Sequence, residues 1–213
     1  MKFLYKYSIP ELALLLFLTF LLIYLTGHYV LTIEFYENNG DPLAGIEGQG
    51  RNVYETLQKW VYFTSAIYLL VKLGVIALIL HSALDLHNEK VPFNSVLKIT
   101  TLAEFIFLIP AAIKIFSFHY TFVHGNLLDW QRYYVFSALS LFKEPSAAWL
   151  YALQSFNLFE IIYWFLIALG ISGISELNYD QSLKLVLISY VPGLLIWITA
   201  VTFFTLMMFP ATG

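Results

Sequence analysis

Lys72, Glu104 and Glu160 each interrupt a different long apolar run. A charge inside a hydrocarbon layer is costly, so it is normally paired, hydrated or put to use. With a rise of ~1.5 Å per residue, all three fall roughly 15–20 Å from one edge of a ~30 Å core. Two chemistries suit a lysine and two acids at one depth. The first is a structural ion pair between helices. One glutamate neutralises Lys72, while the other is protonated or bonded to Tyr, Asn or Ser. The second is a proton or ion pathway through a shared polar cavity. The ion pair is preferred, because a relay needs a chain of polar residues and the runs hold few. A third role is contact of one charge with a partner protein.

The histidines offer a different chemistry. His28, His119 and His124 gather toward one face and His81 and His87 toward the other. Two histidines from different helices at one level are the ligand set of a b-type haem. His119 and His124, with an acid such as Asp129, would suit a metal. None of these spacings is a recognised ligand motif, so interfacial histidines at helix ends are preferred. His28, His119 and His124 remain the weak metal candidates, and no metal or cofactor is expected. The chain has no cysteine, which removes disulfides, thiolate metal sites and cysteine nucleophiles. It carries no G-x-S-x-G, H-E-x-x-H, P-loop or dinucleotide signature, and its apolar runs hold no aspartate pair. An enzyme is not expected.

These side chains must be positioned by membrane helices. Of the 213 residues, 60% are hydrophobic and only 12% charged, against about 25% charged in a soluble domain. The mean hydropathy is +0.74. The expected fold is all-α: a polytopic transmembrane helix bundle forming a single integral membrane domain over residues 1–213. Spans are expected over residues 10–33, 57–84, 96–120, 147–174 and 183–208, the third kinked at Pro110. The first has a basic flank and reads as a retained signal-anchor helix. Residues 34–56 form an acidic loop with turn chemistry at Asn39-Gly40-Asp41-Pro42. Residues 127–144 are too short an apolar stretch to cross, and read as interfacial or re-entrant. Trp130, Tyr133, Tyr134 and Phe136 suit the headgroup level.

Two more charges need less. Glu11 sits in the first turn of span one, where a carboxylate suits the helix dipole. Lys114 is close enough to the end of span three to snorkel. Ala168, Gly170, Ser172 and Gly173 permit close helix approach, and Pro192-Gly193 permits a bend in span five. Lys2 and Lys6 favour a cytoplasmic amino terminus. The net charge of −3 comes without a basic patch, so no nucleic-acid partner is expected. There is no internal repeat, which weighs against an inverted-repeat transporter.

The second half carries a family resemblance. SALSLFKEPSAAWLYALQSFNLFEIIYWFLIALGIS, then a short polar loop and SLKLVLISYVPGLLIWI, resembles bacterial members of the Yip-type membrane-domain family, named for proteins that interact with Ypt/Rab GTPases. The matching residues are Asn157, Leu158, Phe159, Tyr163, Leu166, Leu169, Gly170 and Ile171. Asn157 stands where the family pattern favours aspartate. The resemblance covers roughly residues 100–208. It implies a five-span fold and a membrane-organising or adaptor role, with no catalytic residues.

The expected function is a non-enzymatic accessory or scaffold protein of the bacterial inner membrane. It would bind membrane lipids and other integral membrane proteins in a complex. The alternatives are a transport or permeation component using the Lys72, Glu104 and Glu160 cluster, and a haem- or quinone-binding membrane anchor.

Overall fold

A computed structural model of the chain describes residues 9–38, 50–122, 125–142 and 145–208. The turn expected at Asn39-Gly40-Asp41-Pro42 lies outside the described residues, as do Lys2, Lys6 and His124. The helices are α1 (Ile9–Tyr29), α2 (Ile33–Asn38), α3 (Gly50–Leu86), α4 (Phe93–Glu104), α5 (Leu108–Thr121), α6 (Leu127–Arg132), α7 (Ala147–Ser155), α8 (Leu158–Ser172) and α9 (Tyr179–Met208). Among the described residues there is no strand, only one β-bridge between Ser137 and Asn157. Among the described residues, four stretches are long and apolar enough to cross a membrane: Ile9–Tyr29, Tyr54–Leu86, Phe93–Thr121 and Tyr179–Met208. The protein is a helical bundle of integral-membrane character.

Four expectations from sequence are corrected. The acidic loop expected over residues 34–56 is helical at both ends, in α2 and in the first turns of α3. The run 147–174 is not one helix but two, α7 and α8, separated at Phe156 and Asn157. At 15 residues α8 is ~22 Å long, short of a ~30 Å core. Asn157 is extended, at φ −137° and ψ 164°, because its short amide competes with the backbone for hydrogen bonds and favours a cap over a helix interior. The first run ends at Tyr29, not at residue 33, since the N–H groups of Val30 and Leu31 both turn back to the Thr26 carbonyl. The third run tightens before Pro110, into a 3-10 turn at Phe105–Phe107. Pro110 has no N–H for the Ile106 carbonyl and its ring crowds that turn, so the preceding residues adopt the tighter spacing.

Named contacts fix the directions. Lys98 pairs with Glu11 at 2.8 Å, and His119 bonds the Tyr29 carbonyl at 2.8 Å, so α1 runs parallel to α4 and α5. The Tyr54 hydroxyl reaches the Leu31 carbonyl at 2.9 Å, which sets α3 antiparallel to α1. Trp197 bonds Tyr151 and Tyr190 bonds Glu160, so α7 and α8 together run antiparallel to α9. At the α3–α4 end, the Glu176 N–H donates to Glu89 at 3.0 Å and ties the α8–α9 turn to the α3–α4 turn.

That end is densely packed. Leu80, Leu84, Val96, Ile167, Ile171 and Val186 are fully buried where α3, α4, α8 and α9 meet. Gly170 allows the contact between α4 and α8: a Cβ there would lie 2.4 Å from the Ile99 Cγ2. The opposite half is looser and holds the two cavities described next.

Candidate polar site at a helix break

Lys72 and Glu104 are brought into direct contact. The Lys72 ammonium donates to Glu104 Oε1 at 2.5 Å, linking α3 to the last residue of α4. Glu104 is buried, while the Lys72 side chain keeps 23% of its surface. The ammonium also lies 4.2 Å from the Phe107 ring centroid and 5.8 Å from that of Tyr163. The 3-10 turn that follows Glu104 places Phe107 there. The fully buried Tyr163 hydroxyl faces the Glu104 carboxylate from α8.

Glu160 is held separately. Its Oε1 accepts the Tyr190 hydroxyl at 2.7 Å and the Trp164 indole N–H at 2.9 Å. Trp164 is one helical turn further along α8, and Tyr190 comes from α9. One glutamate therefore neutralises the lysine, and the other holds a tyrosine and a tryptophan. Glu160 still shares a cavity of about 190 Å³ with Lys72, Tyr190, Asn157, Tyr68 and Tyr151.

The break in the fourth run explains why Glu160 sits there. A helix end among apolar side chains leaves backbone groups that must find partners. Asn157 serves both ends. Its amide N–H donates to the Gln154 and Ser155 carbonyls of α7 at 3.3 and 3.2 Å. Its Oδ1 accepts the Glu160 N–H of α8 at 2.9 Å. Residues 136–138 supply the rest: Ala138 N–H donates to the Phe156 carbonyl at 2.8 Å, and Leu158 N–H to the Phe136 carbonyl at 3.1 Å. The stretch read from sequence as interfacial or re-entrant thus reaches the break. To do so Phe136 takes φ 52°, a left-handed conformation disfavoured for a bulky side chain. Such strain persists where surrounding contacts over-determine it, commonly at working sites.

Lys114 does not simply reach outward. Its ammonium lies 4.2 Å from the Trp130 centroid and 4.6 Å from that of Tyr134. Glu11 is not a lone dipole partner either, since it pairs with Lys98 across α1 and α4.

His28 and His119 remain apart from this layer. His119 is engaged with the Tyr29 carbonyl, and His28 stacks on Tyr24. Asp129 closes a capping box with Asn126 at the start of α6. Among the described residues no three His, Asp or Glu side chains gather as metal ligands.

Sequence reasoning named Tyr163 only for the family resemblance, and missed its place beside Glu104 along with Trp164, Tyr190 and the double cap of Asn157. A signal was present for the last: Asn157 three residues before Glu160 is the spacing of a helix start. No family model, curated protein or solved structure matches this chain.

Proposed function

We propose that this protein is a non-enzymatic transport or permeation component in which Glu160 is the working carboxylate. One observation carries the reading: Glu160, Tyr190, Asn157 and Lys72 line one cavity at a helix broken within the bundle. Broken helices at membrane depth are tolerated where they line a cavity, and in transporters they mark the binding region. The dense packing at the α3–α4 end closes the cavity on that side. The looser half leaves it approachable from the other.

In this reading α7 and α8 together make a fifth crossing beside the four long stretches. The amino terminus is cytoplasmic, Lys90, Lys98 and Lys184 share its side, and the host is a bacterial inner membrane. The Yip-type resemblance is compatible with this architecture, because its matching residues all fall on α8 or on Asn157.

An accessory or scaffold role is the second reading, and α1 favours it. Among the described residues, Leu15 is the one buried position of α1. Such a lightly packed span offers a long apolar side to the helices of another integral membrane protein.

The test is proton flux into proteoliposomes driven by a potassium diffusion potential and read with an entrapped pH dye. The transport reading requires flux above protein-free vesicles that Glu160→Gln abolishes without loss of assembly. Wild-type flux equal to that of empty vesicles, or unaltered flux in Glu160→Gln, sinks it and leaves the scaffold role.

A further inference from the structure

The larger cavity lies on the other side of Tyr68, between α1, α3 and α5. Its volume is about 550 Å³, within the ~300–1,000 Å³ of small-ligand sites. Its threonines look polar in sequence but offer the cavity no free hydroxyl. The hydroxyls of Thr19, Thr26 and Thr64 each donate to a carbonyl four residues back on their own helix. Bonds of that kind turn the hydroxyl onto its own backbone. With Leu15, Leu22 and Leu69 beside them, the lining suits a hydrocarbon chain better than a hydrated solute.

Its charge is unbalanced. Glu104 lines one end and is matched by Lys72. Lys114 lines the cavity too and has no acidic partner among the described residues. The Trp130 and Tyr134 rings orient its ammonium but do not cancel its charge. Lys114 precedes the end of α5 by seven residues, ~10 Å along the helix, a distance from which lysine reaches the headgroup level. Tryptophan and tyrosine belong at that level.

We propose that this cavity takes one acyl chain of an anionic membrane lipid, whose headgroup sits on Lys114. The chain lies along α1 and α3, and Trp130 closes over the headgroup end. This inference does not depend on the transport reading.

The experiment is fluorescence quenching in bilayers of stated composition. Wild type and Trp130→Phe are reconstituted with either dibrominated phosphatidylglycerol or dibrominated phosphatidylcholine, and the difference isolates Trp130. The Trp130 signal is expected to be quenched by the anionic lipid at a several-fold lower mole fraction. One lysine near an anionic headgroup is worth about fivefold. Lys114→Gln removes that preference and Lys114→Arg keeps it. Ala111→Phe, which fills the cavity wall, lowers quenching by both lipids. Equal quenching of wild-type Trp130 by the two lipids overturns the proposal, and so does a preference that survives in a folded Lys114→Gln.

Discussion

The Glu160 carboxylate accepts the Tyr190 hydroxyl at 2.7 Å, three residues after Asn157 has closed one half-helix and opened the next. Across the same cavity, Lys72 is already satisfied by Glu104. The bundle therefore keeps its lysine matched by one acid and sets the second acid apart beside a tyrosine. That separation is what makes Glu160 available.

Glu160→Gln should assemble normally. The amide oxygen can accept the same bonds from Tyr190 and Trp164, so the unfolding midpoint in detergent should stay near wild type. Tyr190→Phe should lose one buried bond, about 1 kcal/mol. A collapse of Glu160→Gln in the same unfolding assay would mean that the carboxylate is needed for packing.

Lys72→Met should be strongly destabilising. It leaves the Glu104 carboxylate buried beside Phe107 without its cation, and breaking such a pair costs about 3 kcal/mol. The double variant Lys72→Met with Glu104→Leu should regain most of that loss, because two apolar groups need no pairing. Thermal unfolding of the four proteins in one detergent gives the coupling. Additive effects would show that the contact between α3 and α4 contributes little.

Asn157→Asp should loosen α7 more than α8. An aspartate still accepts the Glu160 N–H, but it cannot donate to the Gln154 and Ser155 carbonyls. Loss of a cap costs about 1 kcal/mol. Hydrogen exchange should rise over residues 151–156 and stay unchanged over the later turns of α8. Unchanged exchange on both sides would show that the bridge to residues 136–138 suffices alone.

Gly170→Ala should disturb the junction of α4 and α8. The new Cβ would meet the branched side chain of Ile99, which has little room to move, and overpacking of this kind costs about 1–3 kcal/mol. Ile99→Ala should rescue it in a thermal unfolding assay. A neutral Gly170→Ala would show that the two helices separate freely.

Much of the bundle was legible because hydrocarbon demands long apolar runs, and the chain supplies them between short polar turns. That Lys72, Glu104 and Glu160 stand on three different helices followed from the separate runs that hold them. Which of them would touch did not follow, since the helices that carry Lys72 and Glu160 are apolar nearly all round and have little stripe to fix their rotation, whereas α4 alone is clearly amphipathic. The break at Asn157 was hidden because Phe156 and Leu158 continue the apolar pattern on either side. Only the cap chemistry of Asn157 marks it, and its carbonyl partners are completed by residues 136–138, far away in sequence. The 3-10 turn at Phe105–Phe107 was displaced from Pro110 for the ordinary reason that proline affects the turn before it. The placing of Lys114 between Trp130 and Tyr134 depends on how residues 125–142 fold back, which no local pattern specifies.

The absence of native cysteine makes the decisive measurement simple. Ser155 lines the cavity that Glu160 faces, whereas Ile167 is fully buried in the dense half of the bundle. Single variants Ser155→Cys and Ile167→Cys, reconstituted in vesicles, are treated with a membrane-impermeant cationic thiol reagent. If the helix break opens onto a water-accessible site, Ser155→Cys reacts at a measurable rate and Ile167→Cys stays inert. If Ser155→Cys reacts no faster than Ile167→Cys, the break is a packed structural feature and Glu160 has no access to solvent or solute.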